Sequence, residues 1–355
     1  GETMDVDLFM ELSTTPHAKR GAAETIEDGM ALVRAADTAD FDTVWLAEHH
    51  FLGDYCSSAA PEMLLAAMAR ETNRIKLGFG IIPLPIHDTV RVAERLATLD
   101  LISQGRVMWG VGRGVAMTEL DGFGIDPASS RHEFLNRLKA LQEILKTGVV
   151  KRDGQSFTLQ PMPTPRLGTG WLAAVSPESF ELAAELELNV MSGPFKPWPM
   201  VKADLARYRR LRPEGATSFT LAVYCDEDHE TARKRAAAGI IWVYDKILEF
   251  SKPIMSQRIK GYEHYRNLGW IAGLFNKVLN LSVLETLGLA VVGDPDHVRK
   301  KLQSLQDSGL NRVSLVIGGG DLTVQETTRC VKLLAKDVLP ALETMPEISA
   351  EAVTA

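Results

Sequence analysis

Cysteine is nearly absent. The three present, Cys56, Cys225 and Cys330, are odd in number, lie far apart and form no Cys-x-x-Cys pair. This argues against a disulfide framework and for a reducing, cytoplasmic setting. The chain also lacks a run of about 20 apolar residues, the length needed to span a bilayer. Its most apolar stretch, Leu281–Val292, is too short and contains Glu285. The start shows no charged-then-apolar signal pattern, and Met4 reads as a natural start behind Gly1–Thr3. Excess positive charge is missing too. The 39 Lys and Arg face 46 Asp and Glu, a net charge of −7, which speaks against a nucleic-acid partner. No internal repeat stands out beyond the β/α unit, and no low-complexity tract occurs.

What is present is ordinary for a globular chain: 45% hydrophobic and 24% charged residues. The 355 residues fit two average domains, or one α/β barrel over 1–355. Short apolar runs alternate with amphipathic ones. Strands are expected at Asp5–Met10, Thr43–Leu46, Ile75–Ile82, Val107–Val111, Trp171–Val175, Asn189–Met191, Ser218–Tyr224 and Arg312–Ile317. Helices are expected at Thr25–Ala39, Ala60–Arg70, Thr89–Ser103, His132–Lys146, Glu178–Leu186, Pro199–Leu211, Glu230–Ala238, Asp296–Ser308 and Thr323–Leu339. Val149–Leu167 reads as an excursion or small β unit. Strands separated by helices imply parallel pairing, and nearly continuous apolar strands imply burial on both faces. Four strands before the excursion and four after it favour a closed (β/α)8 barrel over an open doubly wound sheet. The aromatic-rich segment Ile240–Val291, with Trp242, Tyr244, Phe250, Tyr262, Tyr265, Trp270 and Phe275, interrupts the rhythm before the last unit. It is expected at the barrel rim, as a lid, as extra helices or as a dimer surface.

Four constellations could carry chemistry. Glu48-His49-His50 ends a strand on the side where barrel active sites sit, so an imidazole there could move protons near neutral pH. The alternative is a rim histidine bonded to backbone. A metal centre is not expected, because adjacent histidines point apart and no third ligand stands out among His17, His87, His132, His229, His264 and His297. Gly110-Val111-Gly112-Arg113-Gly114 also follows a strand. Its glycines allow close approach of a flat ring or phosphate, and Arg113 offers a charged fork; a tight rim turn is the plainer reading. Ser176 and Ser179 stand at a helix start, where they could cap or contact a phosphate. Arg131, at another helix start, offers a second cation or a surface charge. In Gly78-Phe79-Gly80-Ile81, glycines inside a strand mark a bulge beneath something flat, or simple packing. Phe9, Met10, Trp109, Phe195 and Trp198, near strand ends, suggest an apolar pocket for a hydrophobic organic molecule.

Taken together these segments resemble the bacterial luciferase-like flavin monooxygenases. Phe41 to Phe51 is similar to the segment after the family's first helix. Val90-Arg91 through Gly105-Arg106 resembles its third helix and the following turn, and Gly110–Gly114 the turn after its fourth strand. Val292-Gly293-Asp294-Pro295 resembles its C-terminal block. The resemblance runs from about Asp5 to Leu339 and is weakest over Val149–Leu167 and Ile240–Val291. It implies a (β/α)8 barrel using reduced FMN or, in some branches, the deazaflavin F420. It places His49 on the catalytic histidine, Arg113 and Arg131 on phosphate-binding arginines, and Ser176 and Ser179 on phosphate-contacting positions. Gly80-Ile81 falls on a non-proline cis peptide beneath the isoalloxazine, with Gly112 beside the ring. The implied reaction is oxygenation of an aldehyde- or ketone-like substrate through a flavin C4a-peroxide. A separate NAD(P)H:flavin reductase would supply the flavin, and the chain would pair as a dimer. Gly112 stands where luciferase has a reactive cysteine, and Val175 where it has an acidic residue, so no light emission is expected. Rival readings are F420-dependent hydride transfer and a noncatalytic flavin-binding barrel.

Overall fold

The computed structural model describes residues 3–194, 196–257, 260–277 and 279–343. Eight parallel strands close on themselves. They are β1 (Asp5–Met10), β2 (Thr43–Leu46), β3 (Lys76–Pro83), β4 (Val107–Gly112), β7 (Trp171–Ala173), β8 (Asn189–Ser192), β9 (Thr217–Cys225) and β11 (Arg312–Ile317), the last pairing back onto β1. Each is followed by helix on the return, as parallel pairing requires. A surface hairpin, β5 (Val149–Arg152) and β6 (Gln155–Thr158), makes up the β unit of the excursion.

A further strand, β10 (Ala290–Gly293), pairs with Ala222–Cys225 of β9. β8 pairs with Thr217–Phe219 on that same edge, while β11 holds the other edge. The short β10 therefore takes over where β8 stops, so five parallel strands rather than four follow the excursion. The expectation missed it because its four residues end the apolar run from Leu281.

Side chains alternate across β1. Val6, Leu8 and Met10 belong to the core shared with the helices, whereas Asp7 and Phe9 face the interior, a parity that continues to Glu11. Inside, Trp45, Trp171 and Met191 pack with Phe9, Ile81 and Met108. Below them the floor is ionic. Arg312 bonds to Asp7 (2.8 Å), Asp42 (2.5 Å) and Asp5 (3.1 Å), and the Trp45 indole donates to Asp7 (2.8 Å). This floor fills the N-terminal end of the barrel and leaves the opposite end for a site.

The helix expected at Glu230–Ala238 runs on as His229–Ser256, with Asp228 capping its start. Its inner residues Val243, Tyr244, Ile247 and Phe250 reach the barrel mouth. Shorter helices Glu263–Asn267, Gly269–Lys277 and Leu281–Thr286 complete the interrupting segment. Among the described residues no helix is long and apolar enough to cross a membrane.

Candidate active site

A cavity of about 860 Å³ opens at the C-terminal ends of the strands. That volume suits a small-molecule site. His49, Gly80, Ile81, Gly112, Arg113, Arg131, Ser176 and Ser179 all line it, so the barrel brings together the expected catalytic histidine and every expected cofactor-contacting residue.

The floor of the cavity is shaped by glycine. The register between β3 and β4 shifts between Phe79 and Ile82, and the Gly80–Ile81 peptide is cis. A Cβ on Gly80 would lie 3.1 Å from Phe9 and Trp45, and one on Gly112 would lie 2.6 Å from Ile81 Cδ1. Ile81 thus fills the space a side chain at 112 would take. The result is a low platform that a planar ring can approach.

Two cations stand in the cavity wall. The Arg113 guanidinium lies 3.8 Å from the centroid of the Tyr262 ring and donates to the Gly261 carbonyl. The Tyr262 hydroxyl donates to the Gly114 carbonyl (3.0 Å) and meets Ser130 Oγ (3.1 Å). Arg131 lies on the same side; a Cβ on Gly261 would be 3.3 Å from Arg113 Nη1 and 3.6 Å from Arg131 Cβ. Ser176 caps the helix Pro177–Glu185, accepting from the Ser179 amide (3.3 Å), while Ser179 Oγ accepts from the Val175 amide (3.1 Å). Ser176 therefore caps the helix, Ser179 ties the preceding turn to it, and both line the cavity. The N-terminus of this helix and the two arginines line one cavity, and these are the kinds of group that bind an anion.

His49 lines the same cavity. Its Nδ1 lies 2.6 Å from Glu119 Oε1, and the same oxygen accepts from the His50 amide (3.2 Å). Burial of the imidazole acts to lower its pKa. The hydrogen bond and charge of Glu119, with Glu11 and Glu48, outweigh it and hold the imidazole above its usual value. Glu48 does not orient His49. Its Oε1 sits between His50 Nε2 (2.7 Å) and His87 Nε2 (2.6 Å), and Arg95 reaches His87 Nδ1 (3.3 Å). Burial works against the Glu48 charge, yet the two imidazoles leave its carboxyl below the usual range.

Sequence reasoning missed Glu119, Glu11 and Tyr55, and it left His87 without a role. Glu119 lies on the helix Met117–Gly122, six residues with no readable period. Nothing in the sequence links it to His49, 70 positions away. Of the residues expected to make an apolar pocket, Phe9 and Met10 line it. Trp109 does not: it is buried in the core and donates to the Leu167 carbonyl (3.1 Å). Nor does Trp198, which packs on Phe219. Phe195 and the Phe275 side chain lie outside the described residues. Within the interrupting segment, Tyr244, Phe250 and Tyr265 line the cavity, Tyr262 backs Arg113, and Trp270 is exposed.

A family model described as luciferase-like monooxygenase matches residues 6–312. Limonene 1,2-monooxygenase of Rhodococcus erythropolis is 26% identical over 351 residues, covering 94% of this chain and 86% of that protein. The crystal structure of a monooxygenase from Streptomyces bottropensis superposes with a TM-score of 0.75 at 24% identity, covering 95% of this chain and 99% of that one. The oxygenating constituent of 3,6-diketocamphane monooxygenase from Pseudomonas putida, solved in complex with FMN, gives a TM-score of 0.72 at 18% identity, with 95% and 98% coverage.

Proposed function

The chain belongs to the luciferase-like monooxygenase family, and from that membership we propose an FMN-dependent monooxygenase that oxygenates a hydrophobic organic substrate such as an aldehyde or ketone. One observation carries the reading: a single cavity joins an imidazole, a low platform at Gly80, Ile81 and Gly112, and two arginines. These residues suit FMN. Arg113, Arg131, Ser176 and Ser179 would hold its phosphate, and Gly80, Ile81 and Gly112 would underlie its ring. Reduced FMN, when bound, supplies the activation of dioxygen.

The protein's own work is placement, dryness and a proton. Arg113 and Arg131 fix the charged end, and Ile81, packed over the bare Gly112, offers the ring a low surface. Because Glu119 engages Nδ1 of His49, Nε2 is the atom left to give or take a proton at the cavity. The raised pKa lets the imidazole hold its proton to higher pH than an ordinary histidine does. Tyr244, Ile247 and Phe250 of the long helix serve as a lid wall that limits water. A separate NAD(P)H:flavin reductase supplies the reduced flavin in the cytoplasm, and the working form is a dimer. With no thiol at position 112, oxygenation proceeds without light.

The test is oxygen uptake with reduced FMN and a panel of aldehydes and ketones, run beside an anaerobic assay with reduced F420. The proposal expects FMN- and oxygen-dependent product. Turnover without oxygen on F420 would replace it with hydride transfer, and flavin binding without any turnover would reduce the chain to a noncatalytic barrel.

A further inference from the structure

Glu11 enters the chemistry above only through the charge it places near His49. It follows β1 and continues the inward-facing series Asp7, Phe9, so its carboxyl stands above Phe9 in the cavity wall. Oε2 is buried and has no hydrogen-bond partner among the described residues. The Tyr55 hydroxyl faces the carboxyl and favours its charged form, against the burial that opposes it. A buried acceptor without a partner is costly unless a ligand supplies one.

The charges around it are unbalanced. His49 is the imidazole facing Glu11, and it is already hydrogen-bonded to Glu119; burial therefore holds the Glu11 carboxyl above its ordinary pKa, and a bound cation would offset that burial and favour its charged form. Arg20, on the same cavity wall, is taken by Asp28 and by the carbonyls of Gly320 and Leu322. Arg113 lies against Gly261.

Aromatic rings surround the same point. His49, Tyr55 and Phe250 form a three-ring cluster, with centroids 5.6 Å (His49–Tyr55), 5.8 Å (His49–Phe250) and 5.0 Å (Tyr55–Phe250) apart. Tyr244 lines the cavity beside them. A carboxylate among aromatic faces is the environment that attracts an organic cation.

We propose that Glu11, with Tyr55 and Phe250, forms a subsite for a substrate carrying a protonated amine on an otherwise apolar skeleton. The inference rests on the flavin reading for what fills the rest of the cavity, and it narrows the substrate class of that site. Glu11 binds the ammonium, and the rings hold its hydrocarbon neighbours.

Three probes share one skeleton: cyclohexylmethylamine, cyclohexylmethanol and cyclohexanecarboxylate. Their dissociation constants are measured by calorimetry on FMN-loaded protein and on flavin-free protein. The amine should bind about tenfold or more tighter than the alcohol, with the carboxylate weakest. E11Q should bring amine and alcohol to within about threefold, and E11D should keep the preference. Equal binding of amine and alcohol to the unaltered protein, or a preference that survives E11Q, overturns the proposal. If E11Q does not fold, F250L is read in its place: removal of the ring should reduce the amine preference, and an unchanged preference counts against the subsite. FMN affinity is measured in the same samples. A Glu11-dependent amine preference without FMN binding would defeat the flavin reading alone, and FMN binding without the preference would defeat this inference alone.

Discussion

His49 is the residue on which the proposed chemistry turns, and Glu119 sets its state. Replacing His49 with Ala should lower turnover by about 10²–10⁴-fold, the usual contribution of a positioned proton-transfer group, with FMN affinity retained. Near-normal turnover would remove His49 from the mechanism. Glu119→Gln tests the partner. His49 is held above its ordinary pKa mainly because Glu119 offsets burial. Without that charge the imidazole loses its proton at lower pH. Where protonated His49 is required, the alkaline fall of kcat/KM should move to lower pH in E119Q, and an NMR titration of the ring should move the same way. An unmoved limb would mean that the dyad does not control the reaction. The sequence made one half of this pair legible. Histidines at the end of a β2-like strand announce themselves, whereas Glu119 comes close only because the turn after β4 folds back over the rim.

The elements around the site depend on close backbone packing at the rim. Gly319, just after β11, lies against the backbone of Gly239 in the long helix, closer than any Cβ would allow. Gly319→Ala must push that helix away from the strand ends, at a cost of about 1–3 kcal/mol typical of overpacking. The melting temperature should fall by several degrees. Gly273→Ala, on an exposed helical position with nothing within 4 Å, should be neutral or slightly stabilising. Equal effects from the two changes would contradict the tight crossing. The same helix marks where reading the sequence failed. Its 3.6-residue period continues past Ala238, but the rise in aromatic content there reads as a new segment. The barrel strands were legible because each is a short apolar run between helices, β9 being buried along its whole length. β10 was not legible, because four residues at the end of a helix-rich apolar stretch carry no period of their own.

At the scale of the molecule, the barrel stands on the Arg312 floor, where three carboxylates surround one guanidinium. Burial pushes the Asp7 carboxyl up to about 7, against the pull of Arg312. The unfolded chain releases that proton near the ordinary value of 3.8. Asp7 therefore favours folding most at low pH, and the benefit is lost as pH rises through about 7. Asp7→Asn has no proton to lose. Its melting temperature relative to the unaltered chain should improve as pH rises from about 4 to about 7 and level off above that. A constant or worsening difference would mean that Asp7 is ionised throughout. This floor closes one end of the barrel and commits the other to ligand. The proposed phosphate site there gives the most direct measurement: titration with FMN and with riboflavin, which lacks the phosphate, in the unaltered protein and in R113A. FMN should bind at least about tenfold tighter than riboflavin, and R113A should lose most of that margin, as expected when a charge-assisted hydrogen bond is removed. Equal affinity for the two flavins, or a margin untouched by R113A, would contradict the account.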